Sequence, residues 1–153
     1  MTTSTILKTY PGRAELDPGP LADAIDHLVA CSEACTACAD ACLSEASVSE
    51  LRACIRTDLD CADVCATTAR VLSRQTETDA RLARDLVQAC ATACRACGDE
   101  CARHASHLEH CRICAEACFA GERVCRNLLA ALHRPRPRRD YPDPGEGTWA
   151  GWW

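Results

Sequence analysis

From Leu21 onward, small and apolar residues recur at intervals of three and four, with Glu, Asp and Arg between them, and no proline interrupts the run before Pro135. That period matches 3.6 residues per turn and places the apolar set on one face of a helix. Ala, Leu, Glu and Arg, which fill much of the run, are good helix formers, so the whole interior reads as helical. Ser47-Val48-Ser49-Glu50 and Ser106-His107-Leu108-Glu109 each fit a capping box, and Thr76-Glu77-Thr78-Asp79 resembles one. These breaks predict four helices, at roughly 21–46, 48–74, 77–104 and 107–133. Connections so short leave neighbouring helices antiparallel, and the expected fold is all-α, an antiparallel up-down-up-down four-helix bundle. Residues 1–20, with Pro11, Gly12, Pro18, Gly19 and Pro20, read as an N-terminal extension, and residues 134–153 as a Pro/Gly-rich tail.

The core positions of this bundle are held by cysteine. Cys31, Cys35, Cys38 and Cys42 form a C-x3-C-x2-C-x3-C pattern, which Cys90, Cys94, Cys97 and Cys101 repeat. Spacings of 4, 7 and 11 residues turn a helix by about 40°, −20° and 20°, so each quartet occupies one narrow face. Cys54, Cys61 and Cys65 follow the same rule on the second helix, and Cys111, Cys114, Cys118 and Cys125 stay within about 60° on the fourth. The expected core is therefore Cys-lined. The second and fourth helices superpose more loosely, Cys61 and Cys65 on Cys114 and Cys118, the relation that a duplicated helical hairpin would leave.

Composition narrows the chemistry. Aromatics make up only 4% of the 153 residues, and the formal net charge is −5, from 17 Lys+Arg and 22 Asp+Glu. An acidic surface argues against nucleic acid, and Arg134, Arg136, Arg138 and Arg139 are a short Pro-interrupted run in the tail. No export signal is visible and no apolar window is long enough to span a membrane, so the expected location is cytoplasmic. In a reducing compartment 15 cysteines, an odd number, are not a disulfide framework. One or two cysteines could simply be small buried hydrophobes; 15 in register point to metal. Thiolates select Cu(I), Zn or iron–sulfur clusters. Ligands on continuous helices, without knuckle turns, suit low-coordinate Cu(I) better than tetrahedral zinc. The sequence CSEACTACADACL also lacks the C-x2-C-x2-C-x3-C-P run of a bacterial ferredoxin. A zinc or general thiol buffer stands as the alternative, and an iron–sulfur electron carrier behind it. No acid–base pair or phosphate loop indicates an enzyme.

The doubled C-x3-C-x2-C-x3-C, with Cys54, Cys61-x3-Cys65 and Cys111-x2-Cys114-x3-Cys118, resembles the bacterial four-helix bundle copper storage proteins, in their cytosolic branch. The resemblance covers residues from about 21 to 133. It implies many Cu(I) ions per chain bound by the matched cysteines and assembly as a homotetramer; a cytosolic copper chaperone is a separate candidate partner. Topology gathers Cys42, Cys54, Cys101 and Cys111 at one pole, together with His104, His107 and His110. Asp58 shares their face, about 40° from Cys54. The opposite pole collects Leu28, Leu72, Leu86, Val87, Leu128 and Leu132, with His27, and reads as plugged. The histidine pole is the expected portal for copper. Trp149, Trp152 and Trp153 are candidates for docking on a neighbouring subunit.

Overall fold

Asp17 starts the first bundle helix, its carboxylate accepting the Gly19 N–H at 3.0 Å. Pro18 follows at the first helical position, where its missing N–H costs nothing and its fixed φ suits the helix. The computed structural model, which describes residues 2–12 and 16–132, thus places Pro18, Gly19 and Pro20 inside a helix and not in an extension. A short α1 (Thr2–Lys8) precedes it, unforeseen in the sequence because seven residues carry too little periodicity. The bundle consists of α2 (Pro18–Ser44), α3 (Arg52–Leu72), α4 (Ala80–His104) and α5 (Glu109–Leu132). α2 packs on α3 and α5, and α4 packs on the same two, which closes the ring of four in up-down-up-down order.

The capping boxes fared worse than the helices. Ser47 makes no side-chain cap; Val48–Glu50 is a 3-10 turn, and α3 begins only after Leu51, whose side chain is buried. Burial of Leu51, about 1.5–3 kcal/mol for a fully buried leucine, sets that helix start in place of the serine hydroxyl. Asp79 caps α4 instead of Thr76, accepting from Arg81 N at 2.9 Å and Leu82 N at 3.0 Å. Ser106 Oγ bonds His107 Nδ1 at 3.2 Å, and α5 starts at Glu109.

One apolar cluster runs the length of the bundle and joins the leucines to all the cysteines. Leu28, Leu72, Val87 and Leu128 are buried at one pole, as expected, while Leu86 and Leu132 are only half-buried. α1 packs on α2 beside that pole, with Leu7 buried, and Tyr10 Oη lies 3.1 Å from Thr76 Oγ1 in the α3–α4 turn. The tail from residue 133, with its arginines and tryptophans, lies outside the described residues.

Replacing Asp79 with alanine removes a side-chain acceptor for two orphan N–H groups and is expected to lower the unfolding free energy by about 1 kcal/mol. Ser47→Ala, at an exposed residue without a cap bond, should change it by less than about 0.5 kcal/mol. Urea unfolding of the two variants checks the contrast.

Candidate metal centre

Helical phase makes each bundle helix contribute a single inward column. On α3 the column reads Cys54, Asp58, Cys61, Cys65, Thr68, Leu72, and on α5 it reads Cys111, Cys114, Cys118, Gly121, Cys125, Leu128; every one of these residues is buried. α2 and α4 supply the two quartets. All 15 thiols are buried, none more than 2% exposed, and all are free of disulfides.

The sulfurs form a continuous ladder along the axis. Nearest the leucine pole, Cys125 contacts Cys90, and Cys65 lies 3.6 Å from Cys90 and 3.4 Å from Cys94. Cys61 then reaches Cys31 and Cys94, each at 3.9 Å. In the middle Cys35 lies 3.4 Å from Cys118, 3.7 Å from Cys114 and 3.8 Å from Cys97. Towards the other pole Cys54 lies 3.5 Å from Cys101 and 3.9 Å from Cys111, which is itself 3.9 Å from Cys38 and 4.0 Å from Cys42. The sequence-based grouping of Cys42, Cys54, Cys101 and Cys111 at one pole is what the structure brings together.

Asp58 sits within this ladder. It is completely buried, and its Oδ1 accepts from Cys97 at 2.9 Å, Cys101 at 3.2 Å and Cys114 at 3.3 Å. Cys54 donates to Oδ2 at 3.8 Å. Burial pushes the carboxyl up to about 9, and negative charge on the Cys97 sulfur adds to the rise. Burial likewise pushes the Cys42 thiol up to about 11, and Cys111 in the same direction. Cys38, between them, shifts the other way, held down by the Cys101, Cys114 and Cys54 thiols around it.

The three histidines do not act alike. His110 Nδ1 lies 3.5 Å from both Cys38 and Cys111 and 3.9 Å from Cys42. Burial opposes its charged form, but the acceptors Cys38 and Glu45 outweigh that and hold it above the ordinary imidazole range. His104 is half-buried with Nε2 3.4 Å from Glu100, and its ring meets exposed His107 edge-on at 6.0 Å. Among the described residues, His110 is the histidine within hydrogen-bond distance of thiols. His27, near the other pole, donates from Nδ1 to the Asp23 carbonyl at 2.8 Å.

Four residues that shape the site were not singled out by sequence: Glu45, Glu100, Thr68 and Gly121. Each stands three or four places from a predicted ligand, so the column spacing was the available signal. A Cβ on Gly121 would meet Cys94 Sγ at 3.0 Å and Cys31 Sγ at 3.6 Å. The missing side chain lets sulfurs from α2 and α4 approach the α5 backbone.

Four-donor sets recur along the ladder, each with its donor atoms within 4.8 Å of one another: Cys31, Cys61, Cys65 and Cys94; Cys31, Cys35, Cys61 and Cys118; Cys35, Cys97, Cys114 and Cys118; Cys38, Cys42, Cys54 and Cys111; and Cys38, Cys54, Asp58 and Cys101. The sets overlap through shared cysteines. A shared thiolate bridges two ions, so the number of soft monovalent ions held can approach the number of sulfurs. Charge points the same way. Replacing a thiol proton by Cu(I) leaves a buried sulfur neutral, whereas four thiolates around Zn(II) leave a net −2 in the core, which is costly away from water.

The sequence profile described as copper storage protein matches residues 18–130. The chain belongs to the copper storage protein family. The structure resembles that of the copper storage protein Ccsp from Streptomyces lividans loaded with 10 copper equivalents, with a TM-score of 0.82 and 56% identity over 84% of this chain and 98% of that one. A second structure, described as copper loading with five coppers to a cytosolic copper storage protein from the same organism, gives 0.72 and 61%, over 72% and 92%. The Cu(I)-bound copper storage protein BsCsp3 of Bacillus subtilis gives 0.62 and 36%, over 69% and 94%.

In this copper storage bundle Asp58 has a measurable consequence before any metal arrives. An unfolded Asp loses its proton near 3.8, and the folded one near 9. Between those values the native state holds a proton that the unfolded state has lost, so raising the pH favours unfolding. The reduced, metal-free protein is expected to lose stability as pH rises from about 4 towards 9, and Asp58→Asn to lose less across the same range. Parallel stability–pH slopes for the two proteins, from urea unfolding under argon, would contradict the assignment.

Proposed function

We propose that the protein stores copper in the cytoplasm as Cu(I), with the 15 core cysteines as ligands and Asp58, His104, His107 and His110 as exchangeable ligands towards one pole. The observation that carries this reading is the overlap of fully buried four-donor sets into one ladder. Uptake is an exchange of thiol protons for Cu(I), so loading releases protons and leaves the core neutral. Such a core needs no metal to fold, because reduced thiols pack as small apolar groups. The cytoplasmic placement is supported by the relative described as cytosolic.

The reading assigns the store to the four-helix bundle and treats the protein as a reservoir, not a catalyst, since buried sulfurs offer no face to a substrate. Copper enters and leaves at the histidine pole, because leucines fill the other. The family resemblance supports a homotetramer, and a cytosolic copper chaperone is the candidate partner that would deliver or withdraw ions at that pole. Zinc buffering is disfavoured by the buried charge that all-thiolate tetrahedral sites would accumulate.

Two experiments test this. Anaerobic competition against a strong Cu(I) chelator, run beside Zn(II), should show several tightly held Cu(I) per chain; one or two Zn per chain with weak Cu(I) binding would overturn the assignment. Replacing His104, His107 and His110 together with alanine should slow Cu(I) uptake several-fold while leaving total capacity nearly unchanged. Unaltered kinetics would remove the histidine pole as the portal.

A further inference from the structure

Glu45 is where α2 stops. Its backbone is extended (φ −73°, ψ 143°) and its N–H closes on the Cys42 carbonyl at 3.3 Å. The chain therefore leaves the helix three residues beyond the last thiol of its column, which brings the Glu45 carboxylate over the end of the bundle. There Oε1 lies 3.2 Å from His110 Nε2, across 65 residues of sequence. Both side chains are partly shielded from water, 36% exposed for Glu45 and 24% for His110.

The other nitrogen of the ring faces inward. His110 Nδ1 lies 3.5 Å from the Cys38 and Cys111 sulfurs and 3.9 Å from Cys42. A carboxylate accepts hydrogen bonds and has none to donate, so the bond to Glu45 requires the hydrogen on Nε2. In the neutral ring that leaves the lone pair on Nδ1, directed at thiols of two helices, α2 and α5. A metal-binding imidazole held this way by an outer carboxylate has its tautomer and ring plane fixed and its ligating nitrogen made more basic. His104 differs: it too has a carboxylate partner, Glu100, but among the described residues no thiol lies within hydrogen-bond distance of its ring.

We propose that Glu45 is a positioning residue for copper exchange: it fixes His110 with Nδ1 as the ligand that first holds a Cu(I) ion beside Cys38, Cys42 and Cys111. The inference rests on the histidine pole being the portal. Glu45 does not touch the ion; it acts through the ring. Cu(I) coming to Nδ1 and Cys38 Sγ displaces the one proton shared between those two atoms, which leaves to water.

The test uses the full-length reduced protein and two readouts. Long-range ¹H–¹⁵N correlation spectra of the metal-free protein, recorded at a pH high enough that the His110 ring has lost its extra proton, should show His110 as the Nε2–H tautomer. Glu45→Ala should give a mixture, and Glu45→Gln, whose amide oxygen still accepts, should keep the wild-type tautomer. In stopped-flow transfer of Cu(I) from a weak chelator, Glu45→Ala should slow the first phase by about 10-fold, with Glu45→Gln close to wild type and capacity unchanged in both. Glu109→Gln removes the same charge from an exposed residue on the adjoining turn and should leave the first phase at the wild-type rate. A slowing there equal to that of Glu45→Ala would mean that general electrostatic attraction, not positioning, is at work, and would overturn the proposal. If His110→Ala slows transfer but Glu45→Ala does not, the positioning role falls and the portal stands. If His110→Ala transfers copper at the wild-type rate, the portal reading falls and the role of Glu45 falls with it.

Discussion

A thiol can fill a helical core only while it is uncharged. The space at the centre of this bundle, which leucine and isoleucine fill in an ordinary one, is occupied by 15 sulfurs and one carboxyl, and a buried thiolate or carboxylate without a counter-ion would cost several kcal/mol. Neutrality therefore governs every state of the interior. Without metal it is met by protons, which is why Asp58 sits among thiol donors with its own proton retained. Each Cu(I) that replaces a thiol proton leaves that balance of charge unchanged.

That constraint also explains the unequal ends. Groups that must change partners, bind water or carry charge have to sit where solvent reaches them, and His104, His107, His110, Glu45 and Glu100 are all placed where α4 ends and α5 begins or where α2 leaves the bundle. At the other end Leu28, Leu72, Val87 and Leu128 keep water away from Cys90 and Cys125. The hydroxyl of Thr68 follows Cys65 in the α3 column but donates to the Val64 carbonyl at 2.7 Å, so it satisfies itself locally.

The architecture and the cysteine columns were legible in the sequence because both depend on one number, the helical repeat. Spacings of three and four determined which sulfurs would share a face, and the short connections determined which columns would meet. Helix starts were not legible to the same degree. Ser47 and Ser106 have the side chains of caps, yet burial of Leu51 and the bond from Ser106 to His107 overrode them. Pro18 and Pro20 read as breakers, although at the first turn they are tolerated. The pairing of Glu45 with His110 lay beyond sequence reasoning for a different reason: it depends on the angle at which the chain leaves α2, and no local pattern encodes a contact 65 residues away.

With the histidine pole as the proposed portal, the leucine end gives the interior an order in time. A shaft open at one end works as a stack: whatever goes in last sits nearest the mouth and comes out first. On that proposal, sulfurs beside His110 form the top of the stack, and those around Cys90 and Cys125 form its floor, reached only after every rung between has been crossed. The same proposal gives one chain two reservoirs of the same chemistry, a shallow one that follows rapid swings in supply and a deep one that turns over slowly.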